Sequence, residues 1–78
     1  MGGIPKPSPC FLDQMKKHKV ISGKQVWISS DANRLFTWDS LHGEIEVFDR
    51  QGYHLGNLDA VHGKLLKKAV KGRRIEYD

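Results

Sequence analysis

From Gly23 onwards the sequence is divided into short runs rich in Val, Ile, Phe, Tyr and Trp, and this pattern limits the fold more than any other feature. The runs are KQVWISS, RLFTWDS, EIEVFDR, YHLGNLD, GKLLKK and RRIEYD. Short runs of β-branched and aromatic residues are typical of strands. The segments between them contain glycine or asparagine, which tolerate the positive φ of tight turns. The regular spacing predicts an antiparallel meander of about five or six short strands.

The residues before Gly23 have a different pattern. GGIPKPSP combines glycines with three prolines, which favours an extended segment, so residues 1–9 are assigned to a linker or tail and residues 10–78 to one folded domain. In CFLDQMKKHK, Phe11, Leu12 and Met15 recur at helical spacing, and lysines occupy the final turn. The expected fold class is therefore α+β and mostly β, with a short N-terminal helix.

The length and the cysteine count limit how the domain is stabilised. A chain of 78 residues holds one small domain with a thin core. Cys10 is the only cysteine, which excludes an internal disulfide and a thiolate metal cage. No apolar run approaches the roughly 20 residues of a membrane span. Stability is expected to come from packing alone.

The charge distribution indicates a polyanion or an acidic protein as the partner. The net charge is +4, and the sequence pI is about 9.4. Acidic residues cluster in the middle of the chain, whereas basic residues follow Asp59 without an intervening acid. The acidic cluster is Asp39, Glu44, Glu46 and Asp49, and the basic one is Lys64, Lys67, Lys68, Lys71, Arg73 and Arg74.

The stretch TWDSLHGEIEVF, residues 37–48, gathers a histidine and three carboxylates. On a strand, alternation would place His42, Glu44, Glu46 and Phe48 on one face, opposite Ile45 and Val47. On a helix, Asp39, His42 and Glu46 would also align, through steps of three and four residues. The grouping of these three side chains therefore does not depend on the secondary structure.

Carboxylates beside an imidazole can cleave RNA by transesterification without a metal or another cofactor. A base removes the proton of the ribose 2′-hydroxyl, the oxygen attacks the phosphorus, and an acid protonates the departing 5′-oxygen. Glutamate, with an unperturbed pKa of about 4.3, is ready to accept a proton, and histidine, at about 6.5, can donate one when a carboxylate such as Asp39 lies beside it. An arginine from the C-terminal segment could stabilise the transition state.

Three other interpretations remain open at this point. Alternating glutamates also mark the solvated face of a half-exposed sheet. A zinc site could be built from His42, His54 and His62 with Asp39 or Glu46, although the spacing matches no closed site. A non-catalytic RNA-binding module could stack bases on Phe36, Phe48 and Tyr53. Carboxylates on an RNA-facing surface argue against the last interpretation.

WDSLHGEIE, residues 38–46, closely resembles the signature of the colicin-type ribonuclease domain that cleaves small-subunit ribosomal RNA at the decoding site. Further similarities cover residues 25–77. They are Trp27 eleven residues before Trp38, Arg34, HLG followed by Asp59, and the RRIEY ending, while GIPKP is similar to the linker that precedes that domain. The resemblance implies a short helix beside a strongly twisted antiparallel sheet.

The resemblance also implies site residues. Asp39, His42 and Glu46 match the catalytic positions, with the glutamate as general base, the histidine as general acid and the aspartate holding or charging the imidazole. His54 matches a further active-site histidine, and Arg73 matches an arginine near the C-terminus, a role that Arg74 could take instead. Phe48 stands where the family has tyrosine, so a hydroxyl is missing there.

The partners and the setting follow from the same resemblance. The domain is expected to be a monomer that acts on the ribosome, and a cognate immunity protein, expected to be acidic, protects the producing cell. It would be secreted or delivered at the cell surface as the C-terminal part of a larger bacterial toxin, a colicin, a pyocin or a contact-dependent growth inhibition protein. It would act in the cytoplasm of the target bacterium. RNA contacts are assigned to Arg34, Lys64, Lys67, Lys68, Lys71 and Arg74.

Overall fold

The computed structural model describes residues 3–21 and 23–75, and it is built around a single sheet. A 3₁₀ turn is followed by six strands that pair antiparallel in sequence order, which confirms the predicted mostly-β meander. The elements are the turn Phe11–Gln14, β1 Lys16–Ile21, β2 Lys24–Ile28, β3 Arg34–Asp39, β4 Glu44–Asp49, β5 His54–Leu58 and β6 Leu65–Lys68.

The prediction of a short N-terminal helix is wrong. Its first residues form only the four-residue 3₁₀ turn, and the following lysines enter β1, which pairs with β2. A helix this short gains few hydrogen bonds for the cost of its first turn, whereas β1 gains a ladder along β2. Leu12, which the helical pattern placed on the core side, is fully buried beneath the sheet. The described residues contain no helix long and apolar enough to cross a membrane.

The C-terminal run RRIEYD was also predicted as a strand. Arg74 forms an isolated antiparallel bridge with Tyr53, and the Ile75 N–H donates to the Gly52 carbonyl at 2.7 Å. This short pairing holds the chain beside β5 as far as it is described, and residues 76–78 lie outside the described residues.

Alternation along the strands divides the apolar residues between the two faces of the sheet. Ile45 and Val47 of β4 belong to one buried cluster, which also contains Cys10 and Leu12. Phe48 belongs to a second cluster on the opposite face, formed with Ile21, Val26 and Leu35. The predicted separation of Ile45 and Val47 from Phe48 is therefore what the structure shows.

The β3–β4 and β5–β6 turns share the sequence Asp-x-x-His-Gly, as DSLHG at residues 39–43 and DAVHG at 59–63. In both, the glycine N–H donates to the carbonyl of the aspartate four residues earlier, at 2.8 Å for Gly43 and 3.0 Å for Gly63. The two glycines have φ values of 68° and 71°, a region that glycine enters without steric cost. Because consecutive strands run antiparallel, both turns lie at the same end of the sheet.

Candidate active site

A row of polar side chains crosses the middle of the sheet on the face of Phe48. Glu46 of β4 lies opposite Thr37 of β3 and Asn57 of β5, and Asn57 lies opposite Lys67 of β6. Residues that pair across antiparallel strands share a face. Thr37, Glu46 and Asn57 are all more than 90% buried. Burying polar groups costs free energy unless they are paired, so this row marks a candidate site.

Glu46 is the most constrained side chain of this row. The Arg73 guanidinium lies against its Oε1 as an ion pair, and Nε2 of His54 is 3.8 Å from the same oxygen. Within the described part of the chain, this buried oxygen accepts no hydrogen bond, and its ion pair with Arg73 is its charged contact. A carboxylate held in this way keeps its proton-accepting oxygen beside a cation.

His54 is held through both ring nitrogens. Its Nδ1 accepts the Val70 N–H at 2.9 Å, and its Nε2 lies 2.9 Å from Oδ1 of Asn57. A backbone N–H can only donate, so Nδ1 carries no proton and the buried ring is the neutral Nε2–H tautomer. The His54 backbone N–H also donates to the Arg73 carbonyl at 2.9 Å. His54 therefore ties the segment of Val70 and Arg73 to the sheet.

Glu44, which the sequence left without a role, bridges this cluster to β6. Its Oε1 accepts a hydrogen bond from Asn57 Nδ2 at 2.9 Å and pairs with Lys67 Nζ at 3.2 Å. Asn57 in turn accepts from the His54 ring through its other polar atom, Oδ1. The result is a continuous polar network from Lys67 through Glu44, Asn57 and His54 to Glu46.

Asp39 and His42 form a hydrogen-bonded pair at the edge of this face, 2.8 Å apart through Oδ2 and Nδ1. The Leu41 and His42 backbone N–H groups donate to the other oxygen of Asp39, at 3.0 and 3.3 Å. Asp39 also lies directly opposite Glu44 in the sheet. His42 itself stands in the turn, half exposed, and joins the polar face through Asp39.

The environment of Asp39 keeps its carboxylate ionised at neutral pH. Burial raises the pKa of Asp39, but hydrogen bonds from the His42 ring and from the His42 and Leu41 backbone outweigh burial and hold the pKa below the usual 3.8. The pair leaves Nε2, the far nitrogen of the His42 imidazole, directed away from Asp39. That nitrogen is the one that could meet a substrate.

The second turn repeats this arrangement. His62 Nδ1 is 3.3 Å from Asp59 Oδ2, which also accepts the Val61 and His62 backbone N–H groups. These backbone hydrogen bonds, above all that of His62, lower the pKa of Asp59. The His62 side chain is 71% exposed, against 51% for His42. An Asp–His pair is therefore a feature of both turns. The Asp39–His42 pair differs from Asp59–His62 because it lies beside Glu44.

A cleft of about 320 Å³ opens beside Glu46 between the sheet and the C-terminal segment. Its apolar wall includes Val26 and Phe48, and Lys24, Arg73 and Arg74 supply cationic groups. Such a lining suits a phosphate linked to an apolar ring. Lys24 is not among the residues predicted from the sequence, because it lies far from the basic C-terminal cluster in the chain.

The structure separates the two C-terminal arginines. Arg73 contacts Glu46, whereas the Arg74 guanidinium lies over the Tyr53 ring, 4.9 Å from its centroid. Both residues line the cleft. Of the two, Arg73 is the one whose charge lies against the candidate base.

The residues assigned to RNA contacts do not all lie together. Lys67 lies on the polar face, and Lys68, the next residue of β6, points to the opposite face. Arg34 begins β3, at the end of the sheet away from Asp39. Lys64 and Lys71 lie on either side of β6, and both are exposed. Only Lys67 and Arg74 lie close to the candidate site.

The other interpretations find different degrees of support in the geometry. No group of three or more His, Cys, Asp or Glu side chains is placed to hold a metal ion within residues 3–21 and 23–75. Phe36 and Phe48 are 4% and 3% exposed, so they cannot stack on RNA bases. Tyr53 is exposed, but Arg74 covers its ring. Two of the three aromatic residues that an RNA-binding module would use are therefore unavailable.

The fold and the polar face define a small antiparallel β domain with a buried acid–base cluster. A family model described as Cytotoxic matches residues 10–76, so the chain belongs to the cytotoxic domain family. The chain is thus a toxin domain. No curated protein matches it.

Proposed function

We propose that the domain is an endoribonuclease toxin that cleaves small-subunit ribosomal RNA at the decoding site and blocks translation in a target bacterium. Membership of the cytotoxic family supports the toxic role. The resemblance of residues 38–46 to the colicin-type signature supports the substrate. The observation that carries the proposal is the placement of Glu46 between Arg73 and His54, on the face that ends in the Asp39–His42 pair.

In the proposed reaction, Glu46 takes the proton of a ribose 2′-hydroxyl, and the freed oxygen attacks the adjacent phosphorus. The bond from phosphorus to the 5′-oxygen breaks, and protonated His42 gives the Nε2 proton to that oxygen. The products are a 2′,3′-cyclic phosphate and a 5′-hydroxyl. Asp39 stabilises the imidazolium before the transfer, since its carboxylate is ionised and accepts from Nδ1.

Arg73 has two tasks in this mechanism. Its side chain is 51% exposed although it contacts the buried Glu46, so a phosphate can reach the guanidinium from the cleft. Substrate binding would draw the guanidinium toward the phosphate, where it stabilises the negative charge that develops in the transition state. The same movement uncovers Oε1 of Glu46 for the hydroxyl proton.

His54 acts as a positioning residue in this proposal. Its Nδ1 accepts from the Val70 N–H and its Nε2–H is held by Asn57, so neither nitrogen is open to exchange a proton with a substrate while these contacts persist. Its contribution is to hold the segment that carries Arg73. The cationic side chains around β6 would add affinity for the ribosome through phosphate contacts and little sequence choice.

The decisive experiment incubates intact bacterial ribosomes with the domain in the presence of a chelator. We expect one discrete fragment of the small-subunit RNA. Glu46→Gln and His42→Ala should each slow cleavage by about 100-fold or more, because each removes a proton-transfer group. His62→Ala is the matched control, since it removes the same side chain from the twin turn and should leave the rate unchanged.

Each alternative gives a different result in this assay. Binding without any fragment would indicate a non-catalytic RNA-binding module. Cleavage that stops in chelator and returns with added zinc or magnesium would indicate a metal nuclease. Equal rates for wild type and Glu46→Gln would overturn the assignment of the base.

The remaining parts of the proposal concern the setting of the domain. As a toxin it would be delivered within a larger secreted or cell-surface protein, act as a monomer in the target cytoplasm and be neutralised by an immunity protein in the producing cell. The net charge of +4 favours an acidic immunity protein.

A further inference from the structure

The segment before β1 contacts both Asp-x-x-His-Gly turns in the same way. The Ile4 N–H donates to the Ser40 carbonyl at 2.6 Å, and the Phe11 N–H donates to the Ala60 carbonyl at 2.8 Å. Ser40 and Ala60 occupy the same position, directly after the aspartate of each turn. The repeated contact indicates that these turns provide a seat for the N-terminal segment.

The glycine of each turn forms the floor of the seat. A Cβ added to Gly43 would lie 3.0 Å from Cδ1 of Ile4, and one added to Gly63 would lie 2.5 Å from the Phe11 ring. Any larger residue would push the apolar side chain away. The glycines therefore serve both the positive φ of the turn and the close approach of the segment.

Ile4 is also held from its other side. The Trp38 indole N–H donates to the Ile4 carbonyl at 2.9 Å, and Gly3 packs closely against the Ser40 carbonyl. Trp38 and Ser40 are the two neighbours of Asp39 in the chain. Ile4 therefore joins the residues on both sides of the aspartate that holds His42.

We propose that residues 3–4, which lie outside the matched family region, form a clamp that positions His42 in the candidate active site. This inference rests on the proposed function, in which His42 must be aligned with the departing oxygen. The imidazole of His42 is half exposed and is held by Asp39 of the same short turn, so a movement of the turn backbone carries the imidazole with it. By fixing Ser40 and packing on Gly43, Ile4 limits that movement.

The two seats differ in what their loss would affect. Phe11 is followed by Leu12, which is fully buried, so that contact is part of the core. Ile4 is 49% exposed, and its removal takes little apolar surface from the core. The effect of the Ile4 contact should therefore be local to residues 39–43.

The test uses substitutions in the full chain. Ile4→Gly removes the side chain over Gly43, and Ile4→Val is its conservative control. Trp38→Phe removes the indole donor, and Trp27→Phe controls for loss of an indole from the same sheet. Hydrogen exchange of the Leu41, His42 and Gly43 amides reports the order of the turn. The amides of residues 61–63 in the twin turn provide an internal reference.

We expect exchange at residues 41–43 to become about tenfold faster in Ile4→Gly and in Trp38→Phe, and to stay unchanged at residues 61–63. Ribosome cleavage should show kcat lower by about tenfold or more with KM unchanged, since a small misplacement of a catalytic group acts on the chemical step. Ile4→Val should leave both the amide exchange and the cleavage rate at their wild-type values. Unfolding in urea identifies any general loss of stability in Trp38→Phe.

Unchanged exchange at residues 41–43 in both variants would overturn the clamp. A fall in cleavage without any change in exchange would overturn it as well. The exchange measurement does not depend on catalysis. If the wild-type domain cleaved no ribosomes and exchange were still faster in the variants, the result would support the contact between Ile4 and the turn and would overturn the proposed function.

Discussion

At the scale of single residues, the site is organised by which atoms of each histidine are already occupied. His42 uses Nδ1 to reach Asp39 and keeps Nε2 for a substrate. His54 uses Nδ1 for the Val70 N–H and Nε2 for Asn57. A sequence cannot distinguish these two histidines, because the difference arises from their partners. The same residue type therefore serves as the proposed acid at one position and as a structural link at the other.

The role of His54 can be tested by separating its two nitrogens. His54→Asn keeps an acceptor near the position of Nδ1, whereas His54→Gln keeps a donor near that of Nε2. We expect His54→Gln to lower the free energy of unfolding by about 1–3 kcal/mol, because the Val70 N–H loses its acceptor, and His54→Asn to cost less. Urea unfolding measures both. Equal losses would contradict the link through Val70.

Asp39 should make stability depend on pH in a predictable direction. Its pKa is lowered in the folded state, so it contributes stability above the unfolded pKa of about 3.8, and this contribution is lost as the pH falls through the folded pKa. Asp39→Asn should be less stable than wild type by about 1 kcal/mol at pH 7. The difference should shrink below about pH 3.8. Urea titrations from acid to neutral pH would show it, and a gap independent of pH would contradict it.

At the scale of elements, alternation predicted the strands correctly. The predicted N-terminal helix was wrong, because there a helical spacing of apolar residues occurs in a segment that partly forms a strand. Residues 24–68 were assigned correctly because β-branched runs and glycine turns are local signals. In residues 10–19 the apolar spacing fits a helix, and pairing with β2 decided otherwise. The gain from that pairing comes from distant residues, so a local pattern cannot register it.

The glycine turns permit an element-scale prediction with an internal control. Gly63 and Gly72 both have positive φ, but only at Gly63 does an added Cβ meet the Phe11 ring, while Gly72 faces open space. Gly72→Ala should cost about 1 kcal/mol from the backbone alone. Gly63→Ala should cost more, because Phe11 must also move. Thermal or urea unfolding of both variants measures the difference, and equal costs would show that the seat does not hold Phe11.

At the scale of the whole molecule, the two halves of the charge pattern serve different purposes. Of the central acids, Glu44 and Glu46 lie on the polar face, where they pair with Lys67 and Arg73. Under the proposed function, the exposed lysines around β6 supply long-range attraction to a polyanion. In that proposal the net charge contributes affinity for the ribosome, and the ion pairs of Glu44 and Glu46 belong to the candidate site.

The attraction to the ribosome should depend on these lysines and on salt. In a Glu46→Gln background, replacing Lys68 and Lys71 by alanine should weaken ribosome binding. It should also reduce the slope of log K against log salt by about 1.5, since each phosphate that is no longer neutralised lowers the slope by roughly 0.7–0.9. Binding titrations at several salt concentrations measure the slope. The reference pair is Lys16 with Lys17, which is exposed and lies outside both the C-terminal cluster and the cleft beside Glu46. An equal change there would indicate a non-specific effect.

The sequence by itself determined the strand pattern and the placement of Glu44, Glu46 and Phe48 on one face of β4, because alternation and turn chemistry act over a few residues. Only the tertiary structure decided that β1 replaces a helix, that Arg73 meets Glu46 and that His54 is neutral. It also brought Ile4 onto the turn of His42, far from it in sequence. These features depend on contacts between distant segments, whose free energy no local pattern of residues contains.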